Sequence, residues 1–191
     1  MNAPVNPQIK KTVVLVGLMG SGKSTVGRRL ANKLGLDFCD SDDEIERAAG
    51  CSVADIFELY GEQAFRDVEK KVIERLLSND PFVLATGGGA YISPDVRQMV
   101  TDSAISIWLR ADLDVLLERT GRNTNRPLLR NTNPRVILGK LINERHPIYE
   151  TADIVVDTSE VDLNHTVLKV HRALSDHLLE HGNNTTKHSH G

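Results

Sequence analysis

The sequence is poor in cysteine. It has two, Cys39 and Cys51, with no CxxC pair and no leader-like apolar N-terminus. Two thiols so spaced are read as reduced residues, and the expectation is a cytoplasmic protein. No stretch approaches the roughly 20 apolar residues that span a bilayer, so no membrane segment is expected. Neither sign of charge dominates: 23 Lys and Arg stand against 26 Asp and Glu, a net charge of −3. That argues against broad nucleic-acid or membrane binding and leaves room for a local basic pocket. There are no internal repeats. The 191 residues suit one domain with one substantial core, expected over residues 1–181, with 182–191 a disordered polar tail. His188 and His190 in that tail are read as solvated and not as metal ligands.

What is present is an alternation of short apolar runs and helical patterns. Lys11–Val16 reads as a buried strand, Leu36–Cys39 as a weaker one, and Phe82–Thr86, Ala104–Leu109 and Asp153–Val156 as three more. Val26, Leu30 and Leu34 recur at helical spacing and Gly35 ends that helix. Ser41 followed by Glu44 resembles a capping box. Val53–Leu59 reads as a short helix. Phe65, Val68, Val72, Ile73 and Leu76 form the apolar stripe of a longer one. Ser93-Pro94 marks another start. Asp112–Arg119, Val136–Ile142 and the stripe from Leu163 to Leu178 complete the helices. Gly121–Asn133 is polar and breaks the rhythm, and is expected as a mobile loop. The pattern predicts an α/β fold with a central, mostly parallel five-stranded sheet covered on both faces, hence three layers. Ligands in such sheets bind beyond the carboxyl ends of the strands.

The strongest motif lies at that edge. Gly17-Leu18-Met19-Gly20-Ser21-Gly22-Lys23-Ser24 matches GxxxxGK[ST] in full, directly after a strand and opening a helix. Glycines let the backbone wrap phosphate oxygens, and the helix N-terminus faces an anion. The nucleotide site is expected to comprise Gly20, Ser21, Gly22, Lys23, Ser24 and Thr25. Lys23 supplies a point charge and Ser24 a hydroxyl for Mg²⁺. No NKxD guanine motif is present, and one domain leaves little room for a motor.

Further motifs follow in order: Asp40-Ser41-Asp42; Gly61-Glu62 through Phe65-Arg66 to Glu69; Gly87-Gly88-Gly89-Ala90; Arg126-Pro127-Leu128-Leu129; and Glu144-Arg145-His146-Pro147-Ile148-Tyr149. Taken singly, each has a plain reading. Asp40 and Asp42, two apart after a strand, point the same way if the backbone is extended, yet an acidic cluster there also suits helix capping. Arg66 stands at helix-neighbour spacing from Glu62 and Glu69, so a surface ion pair is as open as anion binding. Arg145 suits a last helical turn. Triple glycine exceeds the needs of a tight turn and permits positive φ and close approach to a ligand.

In this order and spacing, from the first strand to about Asp157, the chain resembles the shikimate kinase family, with a P-loop kinase fold and a mobile lid. The resemblance implies ATP and shikimate as small-molecule substrates, Mg²⁺ as cofactor, and a product used in chorismate and aromatic amino-acid synthesis. It implies Asp40 and Ser24 at the metal, and Asp42 at the acceptor hydroxyl as general base. Arg66 and Arg145 would hold the substrate carboxylate, with Glu69 orienting Arg66. Gly87, Gly88 and Gly89 would lie against shikimate. Arg126 would come from a lid at about 121–133 to the transferring phosphoryl group, and Arg119 would stack on adenine. The substrate-binding insertion is expected at about 41–70. A proline common in relatives after Asp157 is missing, which leaves the second adenine wall open. His146 is read as structural. The expected catalytic set is Lys23, Asp42 and Arg126, in a protein expected to be a monomer without nucleic-acid or membrane partners. The competing readings are another small-molecule kinase, for gluconate or nucleoside monophosphates, and a nucleotide-binding module without catalysis.

Overall fold

A computed structural model describes residues 9–121, 133–159 and 162–182. Arg126 and the interior of the expected lid lie outside these residues, as does the tail after Gly182.

The first strand explains the layering. Strand β1 (Thr12–Val16) is buried along its whole length. Successive side chains of a strand point to opposite faces. Val13 and Leu15 therefore join one core with Val26 and Leu30 of helix α1 (Lys23–Leu34) and Val167, Val170 and Leu174 of α7 (Leu163–Gly182). Val14 and Val16 join the other, with Ile45, Phe65, Ile73, Val100, Leu138 and Tyr149. A continuous apolar run is what burial on both faces requires.

Strands β2 (Phe38–Asp40), β3 (Val83–Ala85), β4 (Ala104–Arg110) and β5 (Ile154–Asp157) complete a five-stranded sheet in the order β2-β3-β1-β4-β5. Every neighbouring pair is parallel. From β1 the chain moves out to β2, returns through β3, and then crosses to β4. The crevice at that reversal lies beyond the carboxyl ends of β1 and β3, where the glycine motifs begin. The three-layer α/β expectation holds, and no described helix is long and apolar enough to cross a membrane.

The local expectations fare unevenly. Gly35 closes α1 in the left-handed region, as anticipated. The capping box at Ser41–Glu44 does not form. Asp40 is the cap of α2 (Ser41–Ala49), its carboxylate accepting from the Asp42 amide at 3.1 Å, and Ser41 is a buried first helical residue. Asp42 is thus helical, and the argument from extended backbone fails. A true capping box forms one helix later, between Ser52 and Asp55, and opens α3 (Val53–Leu77). The two helices expected here run on as one element bent at Gly61. Ser93 stands at the cap of α4 (Pro94–Ser103) with Pro94 in the first turn, though its hydroxyl makes no cap bond. A 3₁₀ turn, Ala90–Ile92, precedes it and was not expected. Helix α5 spans Leu113–Gly121, and α6 spans Pro134–Tyr149, well past the expected end at Ile142.

Asp153 precedes its strand instead of starting it. Its carboxylate accepts from the Ser106 amide at 2.8 Å and hydroxyl at 2.7 Å, while the Asp153 amide donates to the same hydroxyl at 2.9 Å. Ser106 is buried. We expect Asp153→Ala to strand the Ser106 amide and cost about 1–3 kcal/mol in urea unfolding, more than an exposed substitution would.

Candidate active site

One cleft of about 1140 Å³ gathers residues from every motif that lies within the described residues. Its floor is the loop after β1. Gly20 (φ 82) and Gly22 (φ 96) sit in the left-handed region, which curves the backbone into a concave loop. Gly22 caps α1 with no side-chain bond, so the first amides of the helix open on the cleft. Lys23 lies along this loop, its Nζ donating to the carbonyls of Gly17 (2.8 Å) and Leu18 (2.9 Å). Ser24 Oγ donates to Asp40 Oδ2 at 2.6 Å, which joins the loop to the end of β2. Ser21 and Thr25 complete the lining on this side.

Asp42 faces the cleft from the first turn of α2. Burial, then the neighbouring Asp40 charge, push its carboxyl up to about 6, against the pull of Lys23. Its Oδ1 has no partner within the described protein, and the same is true of Glu69 Oε1. Both oxygens crowd the space beside Gly87: a Cβ there would stand 2.8 Å from Asp42 Oδ1 and 3.0 Å from Glu69 Oε1. Glu69, 1 % exposed, accepts from Arg66 Nη1 at 2.7 Å through its other oxygen. Burial raises the Glu69 carboxyl, and Arg66 offsets only part of the rise. Arg66 also reaches Glu62 at 3.2 Å. The two readings left open for Arg66 are therefore both realised: it is ion-paired along its helix and it lines the cleft.

The glycine loop closes the far side. None of Gly87, Gly88 and Gly89 has positive φ, so that part of the expectation is corrected. Close approach is the operative reason: a Cβ on Gly89 would lie 2.6 Å from Arg66 Nη1. The Gly87 amide is taken by Ser41 Oγ at 3.0 Å and is not turned to a ligand. Arg145, from α6, donates to the Gly88 carbonyl at 3.0 Å. Arg119 donates to the Thr158 carbonyl at 2.8 Å, next to Leu163 and Thr166, and burial lowers its pKa. Phe57, 4.6 Å from the ring of Phe65, forms an apolar wall of the same cleft.

An anion loop, two arginines and an unpartnered carboxylate in one cleft suit phosphoryl transfer to a hydroxyl on a small acid. Comparison with known proteins agrees. The shikimate kinase family model matches residues 19–175. The chain belongs to the shikimate kinase family. A shikimate kinase of Paramagnetospirillum magneticum is 52 % identical over 171 residues, 90 % of this chain and 88 % of the relative. That of Brucella canis is 50 % identical over 168 residues, 88 % and 84 %. The crystallographic neighbour from Acinetobacter baumannii, a shikimate kinase in complex with shikimate, superposes with a TM-score of 0.84 at 39 % identity, over 88 % of this chain and 94 % of its own.

Every site residue expected of a shikimate kinase, save Arg126, lines this cleft. Ser41 and Thr158 were missed. Ser41 looked like a cap. Thr158, which bonds the carbonyls of Ser21 (3.3 Å) and Arg110 (3.1 Å), carries no motif at all. His146 packs edge-on against Trp108 at 4.9 Å, consistent with a structural part.

The raised Asp42 carboxyl has a measurable consequence. Its unfolded value is 3.8 and its folded value about 6. Between these the folded state holds the proton more tightly, so stability falls as pH rises and the full penalty applies above about 6. We expect Asp42→Asn to be more stable than the parent at pH 7.5, by on the order of 1–3 kcal/mol. The gap should close near pH 3.5 in paired urea titrations.

Proposed function

We propose that this protein transfers the γ-phosphoryl group of ATP to the 3-hydroxyl of shikimate, releasing ADP and shikimate 3-phosphate. Among family members this step serves chorismate and aromatic amino-acid synthesis. The observation that carries the reading is one cleft that Asp42 lines together with the phosphate loop and the arginine pair Arg66 and Arg145.

Each residue then has a role. The loop amides and Lys23 bind the phosphates. Lys23 exchanges its carbonyl partners for phosphate oxygens as the nucleotide enters. Ser24 Oγ and Asp40 Oδ2 are hard oxygen donors 2.6 Å apart at the loop, and they fit Mg²⁺, which Asp40 would reach through water. Bound there, the ion would neutralise charge on the β- and γ-phosphates. Arg66 and Arg145 offer guanidinium forks to the substrate carboxylate, and Glu69 fixes Arg66. With the acid so anchored, its 3-hydroxyl is directed at Asp42. Asp42 accepts that proton as the new O–P bond forms and the bond to ADP breaks. A value near 6 leaves Asp42 ionised at neutral pH and basic enough for the task. The Phe57 wall helps to keep out water, a competing acceptor. Arg119 is assigned to the adenine, with Leu163 opposite in place of the missing proline. Arg126, outside the described residues, is assigned to the transferring phosphoryl group. The whole is read as one cytoplasmic, monomeric domain with residues 41–70 as its substrate-binding part; two free thiols support the setting.

A panel of acceptors with Mg-ATP tests this. We expect ADP release with shikimate and none with gluconate or a nucleoside monophosphate. Hydrolysis at one rate with and without shikimate would instead mark a generic NTPase. Lys23→Ala should lower kcat by about 100-fold or more. Arg145→Ala should raise the KM for shikimate by about tenfold or more and leave that for ATP within about twofold. An unchanged shikimate KM would remove Arg145 from the carboxylate site.

A further inference from the structure

Among the described residues, the largest side chain with no exposure at all is that of Tyr149, in the last turn of α6. It lies one helical turn after Arg145, so both project from the same face. Its hydroxyl donates to the carbonyl of Gly88, the atom to which Arg145 Nη1 also donates at 3.0 Å. A carbonyl oxygen accepts two hydrogen bonds, so the pair is compatible. The charge of Arg145 also acts on the phenol and opposes part of the rise that burial causes. The hydroxyl and the guanidinium therefore meet on one loop carbonyl.

The ring is held as firmly as the hydroxyl. It packs at 6.4 Å from Tyr91 and 5.9 Å from Trp108. Burial raises the phenol to about 12, so it keeps its donor proton at any physiological pH. The loop is clamped from the other side as well. Arg97 donates to the carbonyls of Tyr91 (2.9 Å) and Ile92 (2.7 Å). The peptide after Gly88 is trans and planar, so fixing its oxygen also fixes the Gly89 amide, which points the opposite way. Gly89 is the residue against which the Arg66 guanidinium rests.

We infer that Tyr149 is a positioning residue for the organic acid: its hydroxyl fixes the Gly88 carbonyl on which the Arg145 guanidinium docks and so sets how tightly the cleft grips a carboxylate. The inference rests on the function proposed above. Tyr149 touches neither the reacting phosphorus nor the acceptor hydroxyl. Its influence passes to Arg145 through the shared Gly88 carbonyl, and to Arg66 through the Gly89 peptide.

Steady-state kinetics of the full chain carrying Tyr149→Phe test it. Gly88 keeps Arg145 as a partner in this variant, so the fold should persist and the thermal midpoint should fall by only a few degrees. The KM for shikimate should rise roughly five- to thirtyfold, while the KM for ATP and kcat stay within about twofold. The variant should also discriminate less than the parent between shikimate and its carboxamide, because Arg145 is then less well aimed. An unchanged shikimate KM, equal losses for both substrates, or undiminished discrimination would overturn the inference. Should Tyr149→Phe fail to fold, 4-fluorophenylalanine at that position refills the hydroxyl's volume without a donor and permits the same comparison. A parent protein inactive on shikimate would sink the proposed function first, and this inference with it.

Discussion

The parallel pairing of β1 between β3 and β4 is the constraint on which the site depends. Leu15 is in register with Ala85, and Val16 with Trp108. The pairing continues past the strand ends, where the Thr86 amide and hydroxyl both donate to the Leu15 carbonyl, at 3.2 and 3.0 Å. The loops that leave β1 and β3 must therefore emerge side by side. A Cβ on Gly88 would come within 3.3 Å of the Met19 amide. The glycine loops after β1 and β3, far apart in the chain, are adjacent because backbone hydrogen bonds leave no other place for them.

Around that junction the protein accepts electrostatic strain. Asp42 and Glu69 are desolvated carboxyls, each with an oxygen unmatched within the described protein, and burial raises both. Arg66 pairs with Glu69, while Lys23 and Arg145 bond loop carbonyls, so the charge is offset without being removed. The unmatched oxygens are acceptors, and a hydroxyl donor entering the cleft would satisfy them. Apolar layers on both faces of the sheet carry the stability that this edge does not.

Legibility followed the range of the interaction concerned. The phosphate loop could be read because its chemistry is local: glycine spacing, a strand before it and a helix after it. The α/β alternation could be read for the same reason. The errors fell where a distant partner decides. Ser41 looked like a cap until the Gly87 amide, 46 residues on, claimed its hydroxyl. The helical pattern of α6 was read only over Val136–Ile142. Packing of its last turn against Trp108 and Gly88 carries it to Tyr149. The triple glycine suggested unusual φ, whereas the reason for it is the space occupied by Asp42, Glu69 and Arg66.

The sequence by itself determined the family, the layered α/β class and the residue types at the site, since periodicity, loop glycines and motif order are properties of neighbouring residues. Tertiary structure alone decided which carboxyls lose their water, which guanidinium meets which carbonyl, and that Tyr149 belongs to the site at all. Those outcomes depend on burial and on sub-ångström contact between segments joined only by the folded sheet, and no local pattern in the chain encodes them.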